Sequence, residues 1–189
     1  MAPAALWRLQ RAEALLVIID VQERLLPVIH GGDALVRNLD RLVRGFQILD
    51  IPVVVTEQYV KGLGPSVPEL RTTLTETVGY SPIEKSTFSA YLCGEFQMAM
   101  RLARRKQLLV AGIETHVCVY QTAKDLIDAD YQVTIISDAV SSRSAENRDT
   151  ALRRMSSDGA KLSSTEMALF ELVVKAGTDE FRAIAKLVK

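Results

Sequence analysis

The sequence predicts an α/β protein: one domain, three αβα layers, around a doubly wound, mostly parallel sheet. Three observations carry this expectation. Short apolar runs recur along the chain, and they are continuous rather than alternating, as strands buried on both faces require. Amphipathic stretches of helical period separate them. No repeat, low-complexity tract or linker interrupts the alternation over the 189 residues, a length that suits a single core. Strand–helix alternation implies βαβ units, and right-handed crossovers then lay helices on both faces of the sheet.

Residues 15–19, Leu-Leu-Val-Ile-Ile, form the first buried run, closed by Asp20. Residues 33–49 follow as a helix, with Leu35, Val36, Leu39, Leu42, Val43 and Phe46 on one stripe. Residues 52–56 are the second run. A polar segment with glycine and proline, containing Lys85 in a stretch without helical period, reads as loop up to a helix over 95–104. Residues 107–111 are the third run, 115–129 a helix with Thr115 as its N-cap, and 132–136 the fourth run. A helix over 144–156 precedes a short last strand at Lys161 and Leu162, and helices cover the tail. Leu169, Phe170, Leu172, Val173 and Val174 exceed what one helix face needs, which predicts a homo-oligomer burying part of that surface.

Composition removes several function classes. Hydrophobic residues make up 48% and charged residues 24%, and 23 basic side chains balance 23 acidic ones. Nucleic-acid binding needs a net basic surface to displace counterions, so nucleic acid is not the expected partner. No apolar run approaches the ~20 residues that span a bilayer. Cys93 and Cys118 are the only cysteines, too few for a secreted disulfide scaffold, and predict a cytoplasmic setting. Arg8 and Arg11 ahead of the first strand leave a short organelle-targeting role open.

In a doubly wound sheet, ligands bind outside the carboxyl ends of the strands. The polar residues there are Asp20 and Gln22, Glu57 and Gln58, Gly112 through Cys118, and Asp138 with Ser141. Cys118 falls in the first turn of a helix, where free backbone N–H groups and the helix dipole favour a thiolate and can hold an oxyanion. On position alone it fits a nucleophile and an inert core cysteine equally. Asp20 fits a salt-bridging carboxylate or a general base. Lys85 by itself fits a solvated surface group. His116 lies two residues from Cys118, a helical spacing at which side chains do not face each other, so a Cys–His dyad is not expected.

Ile18-Ile19-Asp20-Val21-Gln22, Glu84-Lys85-Ser86-Thr87-Phe88-Ser89 and Gly112-Ile113-Glu114-Thr115-His116-Val117-Cys118 occur in the order seen in the isochorismatase-like cysteine hydrolases. Thr56-Glu57-Gln58-Tyr59 with Lys61-Gly62-Leu63-Gly64, and Ser137-Asp138-Ala139-Val140-Ser141-Ser142-Arg143, resemble the isochorismatase domain-containing branch. The resemblance runs across nearly the whole chain. It implies a six-stranded sheet, a catalytic triad of Asp20, Lys85 and Cys118, and a non-proline cis peptide between Ile113 and Glu114. It further implies oxyanion donation by the backbone amides of Glu114 and Cys118.

The substrate implied is a small molecule, bound among the candidates Gln22, Gln58, Phe88, Tyr91 and His116. No cofactor is expected. Nicotinamidases, which share the triad, bind a metal through an aspartate and two histidines after the second strand. Here Thr56-Glu57-Gln58-Tyr59-Val60-Lys61 holds no histidine, and no catalytic metal is expected. A cysteine at 118 favours C–N bond hydrolysis through a thioester. The alternatives are isochorismatase-type vinyl ether hydrolysis and a non-catalytic binding or redox-sensing protein on the same fold. Opposed by the Asp20 charge, the helix start and Lys85 are expected to prevail and lower the Cys118 thiol pKa.

Overall fold

The computed structural model describes residues 7–77 and 79–189. The segment ahead of Trp7, where a targeting sequence would begin, lies outside the described residues.

Among the described residues six strands form one sheet, β1 (Ala14–Ile19), β2 (Val53–Gln58), β3 (Ile83–Lys85), β4 (Gln107–Ile113), β5 (Gln132–Ser141) and β6 (Lys161–Ser163). Their order is β3-β2-β1-β4-β5-β6 and every pairing is parallel. The chain thus builds outward from β1 to one edge, returns to β4, and builds to the other. β1 and β4 flank the point where the winding reverses.

The continuous apolar runs behave as two-faced strands. All six residues of β1 are buried: Leu16 and Ile18 enter one core, and Leu15, Val17 and Ile19 the other. The first core is closed by α1 (Gly32–Ile48), through Leu35, Leu39, Leu42, Val43 and Phe46, together with α7 (Thr165–Val173) and α8 (Asp179–Leu187). The second is closed by Phe96 and Met100 of α4 (Gly94–Ala103), Ala123 and Leu126 of α5 (Tyr120–Asp128), and Met155 of α6 (Ala145–Ser157). Ser144, Ser164 and Thr178 cap α6, α7 and α8 by accepting from the amides of Asn147, Met167 and Phe181.

Several sequence expectations are corrected. The segment expected to be loop contains α2 (Val60–Leu63), α3 (Pro68–Thr77) and β3. Thus Lys85 is not in a loop but on an edge strand, opposite Gln58. β5 runs five residues beyond 136 because of a bulge: Val110 pairs with Ile135, and Gly112 already pairs with Val140. The surplus in the C-terminal helices is largely covered within the chain. Leu169 and Leu172 are core residues, the Phe170 and Phe181 rings lie 6.0 Å apart, and Val174 is exposed. Among the described residues, no helix is long and apolar enough to cross a membrane.

Candidate active site

The reversal between β1 and β4 brings the exits of both strands together. Ile19 is paired with Gly112, and the approach is so close that a Cβ on Gly112 would lie 2.1 Å from the Ile19 carbonyl oxygen. Gly112 also has φ +116°, so glycine is required there on both counts.

Asp20 turns out of β1 with φ 53°, a left-handed conformation that aspartate tolerates better than most residues. Its side chain is fully buried and doubly held. Thr56 Oγ1 donates to Oδ1 at 2.7 Å, and Lys85 Nζ donates to Oδ2 at 2.7 Å. The Asp20 amide also donates to the Thr56 carbonyl, at 3.1 Å. The Lys85 side chain is fully buried as well. Its ammonium faces four oxygens, Asp20 Oδ2, Gln58 Oε1 at 2.6 Å, and the carbonyls of Thr87 and Phe88 at 3.1 and 3.2 Å. A buried ion pair is favourable only when its remaining donors and acceptors are satisfied, and here they are.

Cys118 lies in a π-helical turn, Thr115–Val119, that leads into α5 and opens at Glu114. The Ile113–Glu114 peptide bond is cis. The amides of Val117 and Val119 both return to the Glu114 carbonyl, at 3.0 and 3.2 Å. Thr115 is therefore inside the turn and not its cap, and its buried hydroxyl has no partner among the described residues.

Burial pushes the Cys118 thiol up to about 12, the Asp20 charge adds to the rise, and the Lys85 ammonium opposes it. The expectation of a lowered thiol pKa is thereby overturned. Desolvation of a thiolate that is 7% exposed outweighs the lysine. Cys118 rests as a neutral thiol, next to a carboxylate able to accept its proton.

The isochorismatase domain model matches residues 14–167, which takes in all three of these residues. The chain belongs to the isochorismatase family. It is 38% identical over 189 residues to a secreted isochorismatase effector of Phytophthora sojae, covering 100% of this chain and 90% of that one. Isochorismatase domain-containing protein 2 of Danio rerio is 37% identical over 185 residues, 98% of this chain and 91% of that one. Among solved structures, the MAR1 ribonuclease of Caenorhabditis elegans has TM-score 0.89 and 33% identity, covering 96% and 92% of the two chains. An octameric hydrolase of unknown specificity from Escherichia coli has TM-score 0.88 and 27% identity, covering 95% and 88%.

Within this isochorismatase fold the other candidate residues take different places. Gln22 is fully buried, with its amide already engaged: Nε2 donates to the carbonyls of Gln58 and Gly64, and Oε1 accepts from the Gln58 amide. It ties the β1 and β2 exits together instead of facing a ligand. Gln58 bonds Lys85 as described, and its Nε2 donates to the Ser86 carbonyl at 2.8 Å. The Glu114 carboxylate accepts from the amide and Nε of Arg143. His116 Nδ1 pairs with Ser142 Oγ at 2.9 Å.

Phe88 is exposed beside Lys85, whereas the Tyr91 ring packs edge-on against Tyr131 at 6.4 Å. Tyr131 immediately precedes β5, so this ring pair sits at the amino end of that strand. Asp138 is also spent elsewhere, accepting from the amide and hydroxyl of Thr165 at the head of α7. A cavity of about 700 Å³ opens beside the loop after β1, lined in part by Glu23, Leu26, Ile29, Arg37 and Val67, but by none of Asp20, Lys85 and Cys118.

Thr56 was not among the sequence candidates. Its signal was a hydroxyl at the end of an otherwise apolar strand. Among the described residues no group of three or more His, Cys, Asp or Glu side chains could hold a metal ion.

Proposed function

We propose that the chain is a cysteine hydrolase that cleaves the C–N bond of a small amide-type molecule through a thioester on Cys118. The observation that carries this reading is a buried carboxylate–ammonium pair, Asp20 with Lys85 at 2.7 Å, beside a buried thiol at a helix start.

Because the thiol is neutral at rest, its proton moves to Asp20 as sulfur attacks the carbonyl carbon. The C=O electron pair moves onto oxygen, and the amides of Glu114 and Cys118 hold that oxyanion. The Lys85 ammonium, held by four oxygens, compensates the charge that develops beside it. The tetrahedral species collapses, the C–N bond breaks, and Asp20 returns its proton to the departing amine. Water then attacks the thioester with Asp20 as base, releasing the acid and the thiol.

A homo-oligomer belongs to the same reading, supported by the octameric relative. So does a cytoplasmic setting, on two free cysteines, although one relative is named as secreted.

The test is a screen of small amides, ureides and isochorismate for product release, with mass spectrometry of the intact protein for an acyl adduct. Turnover of an amide with an adduct on Cys118, both lost in Cys118→Ala, is the expected result. Vinyl ether cleavage that survives Cys118→Ala would overturn it. A second reading, ribonuclease, is favoured by the MAR1 likeness alone. RNA cleavage abolished by Asp20→Asn but not by Cys118→Ala would put that reading first.

A further inference from the structure

The Thr56-Glu57-Gln58 stretch is not used by the steps above, yet its three side chains are all engaged at the edge of the site. A strand points alternate residues to opposite faces, so Thr56 and Gln58 share one side of β2 and Glu57 takes the other. Glu57, buried, accepts from the amide and hydroxyl of Ser66, at 2.6 and 2.8 Å, and from Tyr80 Oη, anchoring the segments on either side of α3. On the opposite face Thr56 donates to Asp20, and Gln58 accepts from Lys85.

From this geometry we infer that Thr56 and Gln58 are positioning residues that fix the Asp20–Lys85 pair and so set the reactivity of Cys118. The inference rests on reading those three residues as the reactive group.

The chain of bonds leaves little freedom. Gln22 holds Gln58 by both its amide and its carbonyl, and Ser86 takes the Gln58 Nε2. That last bond fixes which end of the side-chain amide faces the lysine: the oxygen. The two shortest ammonium contacts, 2.7 Å to Asp20 and 2.6 Å to Gln58, hold the charge between a charged and a neutral acceptor. The neutral Gln58 oxygen accepts from the ammonium without cancelling its charge. A carboxylate at 58 would cancel it. Thr56 acts on the other partner, since its hydroxyl offsets part of the Asp20 negative charge, which pushes the thiol upward.

The other charged or titratable groups nearby are turned elsewhere. Glu57 faces Ser66 and Tyr80, Glu84 the Val60 amide, Glu114 Arg143, and His116 Ser142.

The experiment is the rate of Cys118 alkylation by iodoacetamide against pH, located by mass spectrometry, in the full-length parent, Gln58→Glu, Thr56→Val and Thr56→Ser. Folding of each variant is checked by circular dichroism and thermal unfolding. Gln58→Glu is isosteric, and is expected to slow alkylation about 10-fold at each pH between about 7 and 9. Thr56→Val is expected to slow it as well, and Thr56→Ser, which keeps the hydroxyl, to restore the parental profile. Parental profiles in folded Gln58→Glu or in folded Thr56→Val would overturn the inference. Alkylation needs no substrate, so a failed substrate screen with shifted profiles would count against the hydrolase reading and leave the positioning role standing.

Discussion

Replacing Asp20 by asparagine separates the two things this carboxylate does to Cys118. With a thiol at about 12 against an ordinary 9.0, the thiolate population near neutral pH is about 1,000-fold below that of an unperturbed cysteine. Asp20 is the second largest cause of that rise, after burial. The asparagine variant removes its negative charge. Lys85 keeps Gln58 Oε1 and the Thr87 and Phe88 carbonyls as acceptors, one for each of its three protons. Losing the Asp20 charge lowers the thiol. A like charge near an ionising group shifts it by about 1–3 pKa units, and the low end suits a pair already screened by Lys85. Alkylation of Cys118 by iodoacetamide at pH 8 should therefore become about 10- to 100-fold faster. Turnover of any amide found by the screen should move the other way and fall about 10²- to 10⁴-fold, because the proton acceptor is gone. Stopped samples digested and quantified by mass spectrometry give the first rate, with Cys93 as an internal reference. Alkylation of folded Asp20→Asn that is unchanged or slower would refute the electrostatic account.

Other outcomes follow from single features. Because the folded thiol sits above its unfolded value, it contributes stability that is fully present below pH ~9 and is lost as pH rises toward 12. Urea unfolding of the parent should accordingly weaken above pH 9 relative to Cys118→Ala, by up to about 1.4 kcal/mol per pH unit. Equal slopes in the two proteins would show that the thiol is not raised. Lys85→Met leaves the Asp20 carboxylate buried without its cation, and should cost about 3–5 kcal/mol in urea unfolding at pH 7; a loss below ~1 kcal/mol would mean water reaches the pair. Gly112→Ala should cost about 3 kcal/mol or more from backbone strain and overlap with Ile19, whereas Gly94→Ala, with nothing within 4 Å of a new Cβ, should be near neutral. Similar melting temperatures for the two would remove the close approach as an explanation for Gly112.

The sheet was legible where burial is two-sided. Leu15 to Ile19 and Leu108 to Ala111 announce themselves, because a strand covered on both faces has no polar residues to interrupt it. β3 is not legible in the sequence, since three residues after a proline leave no period to detect, and Lys85 therefore reads as loop. α3 shows only Leu70, Thr73 and Leu74 to the core, too sparse a stripe amid threonines. The length of β5 was hidden because a bulge is a fact about its partner strand.

At the site, Asp20 and Cys118 were visible as polar residues just past apolar runs, but Lys85 only through the family resemblance. Thr56 was within reach: strand alternation from Gln58 puts it on the same face. The Tyr91–Tyr131 ring pair and the rise of the thiol depend on what packs around each group, and no local pattern in the chain records that.

The location of Lys85 has a consequence for how the site comes apart. Asp20 and Cys118 hang from the two middle strands, whereas the lysine hangs from a three-residue strand at the margin, paired on one side only. Short marginal strands exchange their amide hydrogens through small local openings, long before the centre of a sheet does. Each such opening of β3 would withdraw the cation while leaving the carboxylate and the sulfur in place. The reactive arrangement is thus more fragile than the domain that carries it, and hydrogen exchange at Glu84 and Lys85 should outpace that at Val17 and Val110. Activity would then fade on warming before the helices or the central strands begin to melt.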